Sequence, residues 1–242
     1  MANYALLTAG GVGSRMHLDI PKQFICVNNK PIIVYTLERF QNHPDIDGIC
    51  VVCLTDWKDT LRSYARQFNI SKLKWIADGG VNGQASIVSG VKTLAKDINE
   101  EDIVIISDGN RPFVSHDIIS DAIVQCKKHG SAVSHTPAVE AMYVKDDSTE
   151  ELSSGNSLYS NTLLDRSKLI KAQTPNAFPL KKLLWAYDQA EKRGITDSVA
   201  SCTLMTELGE RVYFSLGSSM NFKITTQDDL ALFKAMIATG IY

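Results

Sequence analysis

The 242-residue chain has no apolar run approaching the roughly 20 residues a membrane span needs, so no membrane-crossing helix is predicted. It lacks an excess of charge of either sign. The 25 Lys and Arg against 27 Asp and Glu leave a net charge of −2, which gives no polycationic surface for nucleic acid. The start, Met1-Ala2-Asn3-Tyr4, lacks the basic, then apolar, then small-residue order of a secretory signal, and the cytoplasm is the expected compartment. Cysteine is scarce, at five residues. Cys50 and Cys53 have the spacing of a redox or zinc pair but lie inside Ile49-Cys50-Val51-Val52-Cys53-Leu54, which reads as a strand. Residues three apart on a strand face opposite ways, so the two thiols cannot share a metal and are expected in the core. The five histidines form no HExxH-like cluster, so zinc is not expected.

With 44% hydrophobic residues, the chain can build one large core, and 1–242 reads as a single domain. Apolar runs at 3–8, 48–54, 73–77, 102–107, 132–136 and 211–216 read as strands. They alternate with helix-like segments at 31–41, 57–68, 84–96, 115–129, 179–193, 197–208 and 226–239. That alternation predicts an α/β fold, a mainly parallel twisted sheet covered by helices on both faces. Pro31 suits a first helical position, and Ser115 and Thr226 suit helix starts. The rhythm breaks at 139–164, where turn residues are flanked by the alternating Met142-Tyr143-Val144. This stretch reads either as a surface loop or as an extended arm that engages a second subunit.

Four constellations carry chemistry. After the first strand comes Ala9-Gly10-Gly11-Val12-Gly13-Ser14-Arg15-Met16, followed by Pro21-Lys22-Gln23-Phe24. A glycine turn with exposed backbone NH groups beside two cations suits a polyphosphate. It is not a dinucleotide fingerprint, because Met16 replaces the third glycine and Pro21 follows closely. Nor is it a Walker loop, since Gln23 follows Lys22. The second is Ser107-Asp108-Gly109-Asn110-Arg111-Pro112 at a strand end, either a helix-capping turn or a magnesium and phosphate site. The third, Asp78 to Ser86 with Gly79-Gly80, reads either as a base-reading loop or as a surface turn. The fourth, Asn221-Phe222-Lys223-Ile224-Thr225-Thr226, offers a further cation. A short-chain dehydrogenase is disfavoured, because no Tyr-x-x-x-Lys pair exists: Phe68, Leu163 and Glu191 stand where the lysine would follow Tyr64, Tyr159 and Tyr187.

Taken with Gln173-Thr174-Pro175-Asn176-Ala177-Phe178 and Thr196-Asp197, these motifs occur in an order that resembles the polyol-phosphate cytidylyltransferases. That group includes the methylerythritol-phosphate enzyme of isoprenoid synthesis and the ribitol-phosphate enzyme of teichoic acid or capsule synthesis. Gly10-Gly11, Asp56-Trp57 and Lys223-Ile224-Thr225-Thr226 look more like the ribitol branch. The resemblance covers nearly the whole chain and implies a Rossmann-like nucleotidyltransferase fold. It implies transfer of CMP from CTP to a polyol or sugar phosphate with loss of pyrophosphate, a divalent cation such as Mg²⁺, and a homodimer formed through the 139–164 arm.

Carried over residue by residue, Arg15 and Lys22 would contact the triphosphate and Lys223 the α-phosphate. Ala9, Gly10, Gly11 and Gly13 would line the phosphate loop. Gly80 and Ser86 would read cytosine, and Asp108 would hold the metal beside the nucleotide. Arg111, Arg166, Thr174 and Thr196 would meet the acceptor, with Arg166 reaching across from a partner subunit. The chain departs from the family pattern at Ser107, where a His is usual, and at Gly109 and Asn110, where small apolar residues are usual. It departs also at Val81, Gly83, Ala141 and Met220. The acceptor half is the more altered, which points to an acceptor other than methylerythritol phosphate. A non-catalytic CTP-binding relative is the alternative that these departures raise.

Overall fold

The computed structural model describes residues 1–11, 20–145, 151–152, 155–156 and 159–241. Its centre is a seven-stranded sheet of β1 (Asn3–Ala9), β2 (Gly48–Cys53), β3 (Leu73–Asp78), β4 (Ile103–Asp108), β5 (Ala132–Pro137), β6 (Ile170–Pro179) and β7 (Phe214–Leu216). Across the sheet the order is β7-β5-β6-β4-β1-β2-β3. All neighbours are parallel except β6, which runs antiparallel to both β4 and β5.

The helices are α1 (Ile32–Gln41), α2 (Lys58–Gln67), α3 (Gly83–Leu94), α4 (His116–His129), α5 (Leu180–Arg193), α6 (Ser201–Glu207) and α7 (Gln227–Ala238). Strands buried on both faces need apolar residues at every position, and β2 is buried throughout. Side chains of Leu7, Val51 and Ile105 pack with α1, α2 and α4, while those of Leu6, Val52, Val104 and Ile106 pack with α3, α5 and α6. Cys53 belongs to the first cluster and Cys50 to the second, so the two thiols face opposite sides of the sheet as expected. Burial pushes Cys50 up to about 12 and Cys53 to about 11, which leaves both as inert core residues.

A third cluster seats α7 across α1 through Tyr35, Phe113, Ile224, Leu230 and Phe233. Ser115 and Thr226 cap α4 and α7, and Thr226 forms a full capping box with Asp229. Pro31 is the residue before α1 rather than its first. The sheet contains one strand the sequence pattern did not reveal, β6. Its Lys171, Gln173, Pro175, Asn176 and Pro179 hide any alternation, yet it lies in the middle of the sheet. Its register against β5 shifts between Ala172 and Asn176. Between β5 and β6 the chain leaves the sheet, and Met142–Val144 pairs antiparallel with Thr162–Leu164 as a ribbon.

Candidate active site

Strands β1 to β4 end along one edge of the sheet, the edge where ligands gather in open α/β folds. At the end of β1, the amide of Gln23, itself 2% exposed, donates to the carbonyls of Ala9 (2.7 Å) and Gly11 (3.1 Å) and fixes the start of the glycine loop. Gly13 and Arg15 of that loop lie outside the described residues. Gly10 faces the next turn, since a Cβ on it would stand 3.5 Å from Ser86 Oγ and 3.6 Å from Gly79 Cα. The two glycine turns are therefore side by side, as a nucleotide cradle requires.

The second turn is tightly built. A Cβ on Gly80 would fall 2.5 Å from Ala85 Cβ and 2.7 Å from the Ser86 nitrogen, so glycine alone lets it close. Ser86 Oγ accepts from the Gly80 NH (3.0 Å) and donates to the Asn82 carbonyl (2.8 Å). Asn82 caps α3 by accepting from the Ala85 NH (2.9 Å). Its Nδ2 donates to the Thr196 carbonyl (2.9 Å). Gln84 braces the same segment, donating to the Ile195 carbonyl (2.6 Å) and accepting from the Ser198 NH (2.7 Å). Thr196 is thus brought beside the Gly80–Ser86 turn.

The densest polar group surrounds Asp108. Its carboxylate accepts from Lys223 Nζ (2.7 Å), Arg111 Nε (2.8 Å) and Thr174 Oγ1 (3.0 Å). The Asp108 backbone NH donates to the same Thr174 hydroxyl (3.2 Å). Burial alone would push the Asp108 carboxyl up, but Lys223 and Arg111 override it and hold the group at about 2. One carboxylate between two cations leaves a local charge of +1, suited to an incoming phosphate. Four residues named from the sequence, Asp108, Arg111, Thr174 and Lys223, meet here although they come from β4, its following loop, β6 and the segment before α7.

Lys22 begins a short turn at Lys22–Phe24 and lies near Asp229. Burial opposes ionisation of Asp229, while the NH groups of Thr226 and Thr225 and the Lys22 charge lower its carboxyl. Because Thr225 Oγ1 also donates to the Lys223 carbonyl (3.1 Å), the segments bearing Lys22 and Lys223 share one support. Arg166 stands apart, on the arm, with its Nη1 donating to the Val139 carbonyl (2.7 Å). No contact among the described residues links it to the Asp108 group.

Sequence reasoning gave no role to the amides that brace the site, namely the buried Gln23, Gln84, Asn110 and Asn221 and the half-buried Asn82. Asn221 Nδ2 donates to the Thr174 carbonyl (2.8 Å), and the Asn221 carbonyl accepts from Arg111 Nη1 (2.6 Å). Their one sequence signal is that each lies inside a motif, as Gln23 does in Pro21-Lys22-Gln23-Phe24. Among the described residues no three His, Cys, Asp or Glu side chains cluster. A single ionised carboxylate does fit Mg²⁺, which takes one or two carboxylates and completes its octahedron with water and substrate phosphates.

A mostly parallel sheet with paired glycine turns and a cation-flanked carboxylate on its carboxyl edge defines the nucleotidyltransferase class of α/β enzyme. Residues 4–239 match the IspD family, 2-C-methyl-D-erythritol 4-phosphate cytidylyltransferase, and the chain belongs to that family. It is 45% identical to a ribitol-5-phosphate cytidylyltransferase of Lacticaseibacillus paracasei over 96% of this chain and 97% of that one. It is 36% identical to a 2-C-methyl-D-erythritol 4-phosphate cytidylyltransferase of Clostridium acetobutylicum, over 94% of each chain. The fold matches the crystal structure of 4-diphosphocytidyl-2C-methyl-D-erythritol synthase from Anaerococcus prevotii with a TM-score of 0.79 and 22% identity, covering 98% of this chain and 96% of that one.

Proposed function

We propose that this enzyme transfers the cytidylyl group of CTP to ribitol 5-phosphate. A phosphate oxygen of the acceptor bonds to the α-phosphorus of CTP, the bond from that phosphorus to the bridging oxygen breaks, and pyrophosphate leaves. The observation that carries the reading is the Asp108 group, where Arg111, Thr174 and Lys223 converge on one carboxylate at the sheet's carboxyl edge. The 45% identity to a ribitol-5-phosphate cytidylyltransferase supports the choice of acceptor.

The chemistry explains the cations. Two unit negative charges about 4 Å apart repel by about 4 kcal/mol at an effective dielectric near 20. Arg15, Lys22 and Lys223 screen the triphosphate, while Arg111, Thr174, Thr196 and a partner subunit's copy of residue 166 receive the acceptor phosphate. The Ala9–Gly13 loop cradles the phosphates, and the Gly80–Ser86 turn reads the base. The attacking oxygen is already ionised, so no covalent nucleophile is needed and positioning with charge stabilisation suffices. Asp108 would hold Mg²⁺, which when bound draws charge from the phosphate oxygens. The arm at 139–164 joins two copies into a homodimer, and the enzyme works in the cytoplasm.

Pyrophosphate release, followed with each nucleoside triphosphate against ribitol, methylerythritol, glycerol and heptose phosphates, tests the reading. Turnover with CTP and ribitol 5-phosphate well above every other pair is the expected outcome. Preference for methylerythritol phosphate would move the enzyme to isoprenoid synthesis, and CTP binding without turnover of any acceptor would overturn the catalytic reading.

A further inference from the structure

Lys223 lies in an irregular stretch between β7 and α7, where no helix or sheet ladder fixes its backbone. Its neighbour Ile224 is fully buried and both of its backbone polar groups go to one residue. The Ile224 NH donates to the Asn110 carbonyl (3.0 Å), and the Ile224 carbonyl accepts from Asn110 Nδ2. Asn110 is 4% exposed and sits two residues after Asp108, in the loop whose Arg111 also binds the Asn221 carbonyl. Its side chain thus does for Ile224 what a paired strand would do, and so sets where the next residue's ammonium falls.

We propose that Asn110 is a positioning residue that aims Lys223, holding the segment so that the Lys223 ammonium stands over the reacting phosphate rather than merely near it. This rests on the reading of Lys223 as the α-phosphate cation. A long side chain on a segment outside any helix or sheet loses its aim when its backbone drifts, and a misplacement of about 1 Å can cost on the order of 10²-fold in rate. An alanine or any small apolar residue at 110 keeps the backbone half of the clamp and deletes the side-chain half.

The test is a double-mutant cycle on the full-length enzyme with CTP and ribitol 5-phosphate. Asn110→Ala is expected to lower kcat by about 10- to 100-fold with the KM for CTP changed by less than about twofold, because aim and not affinity is lost. Lys223→Ala is expected to lower kcat by about 10²- to 10³-fold. The double variant is expected to match Lys223→Ala alone, since Asn110 then has no ammonium left to aim. An Asn110→Ala loss that multiplies undiminished in the Lys223→Ala background, or an unchanged kcat in Asn110→Ala, would overturn the proposal. If Lys223→Ala itself keeps the parent rate, the assigned role of Lys223 fails first, and the proposal with it. Should Asn110→Ala not fold, Asn110→Ser, which is smaller in its perturbation but too short to reach the Ile224 carbonyl, enters the same cycle.

Discussion

Asn82 and Thr196 are 114 residues apart in the chain, and a 2.9 Å hydrogen bond from the Asn82 amide to the Thr196 carbonyl joins them. With Gln84 gripping Ile195 and Ser198, the turn assigned to the base and the segment assigned to the acceptor move as one body. Asn82→Ala should lose both this bond and the α3 cap, at about 1–2 kcal/mol. A protein of this size should then melt about 2–8 °C lower. Asn82→Ser keeps a capping oxygen and is too short to donate to Thr196. It should melt near the parent temperature yet raise KM for CTP and acceptor together, which steady-state kinetics would reveal.

Gln23 braces both the Ala9 and the Gly11 carbonyls. Gln23→Leu would take that donor from the buried Ala9 carbonyl, at about 1–3 kcal/mol, and from the exposed Gly11 carbonyl, which water can serve. Urea unfolding should show this loss. CTP binding followed by calorimetry should weaken at least tenfold, because the loop that receives the phosphates is no longer set.

Asp108 joins two cations and is the carboxylate that suits Mg²⁺. Asp108→Asn removes the charge and keeps the shape. The expected outcome is a fall in kcat of about 10²- to 10³-fold and a higher Mg²⁺ requirement in a metal titration. Chelation of divalent cations should abolish pyrophosphate release by the parent enzyme, and added Mg²⁺ should restore it.

His43 is fully buried, and burial first, then the neighbouring His116, lowers its ring below the usual histidine value. Lys72 also disfavours the charged ring, while Asp45 and the His116 carbonyl favour it. Its Nδ1 accepts from the Asp45 NH (3.2 Å), which leaves Nε2 to donate to Ser120 Oγ (3.0 Å). The unfolded chain takes up this proton first, near pH 6.5. The stability tied to neutral His43 is therefore complete above about pH 6.5 and falls as the pH drops below it toward the lowered folded value. Denaturant midpoints measured from pH 7.5 to 5.5 should fall, and His43→Gln should flatten that slope.

Gly90 on α3 packs where a methyl group would collide with Leu6 and stand 2.8 Å from Val52 Cγ2. Gly90→Ala raises helix propensity but overfills this contact, and the collision should win by about 1–3 kcal/mol. Chemical denaturation would measure it, and a stabilised protein would contradict the packing described for α3 on β1 and β2.

The sequence made the sheet's parallel half legible because strands buried on both faces are nearly continuous apolar runs, as in β2 and β4. Helix starts at Ser115 and Thr226 were legible through their side-chain chemistry. The strand β6 was not, since its prolines and amides are chosen for the site it delivers rather than for alternation. Asp108, Arg111 and Lys223 stood out as charges beside strand ends, but Thr174 had no signal of its own beyond the family pattern. Asn110 looked only like a departure from that pattern. Its partner lies 114 residues away, and no local spacing reports a side-chain bond to a distant carbonyl.

The reversed direction of β6 has a structural consequence. Pro137 leaves the sheet and Ile170 re-enters it at the same edge, and four residues later the chain delivers Thr174 to Asp108. The chain leaves and rejoins the sheet at that one register pair, while the two glycine turns follow β1 and β3. A segment of different length or sequence can therefore be exchanged between Pro137 and Ile170 without shifting the pairing that delivers Thr174 to Asp108.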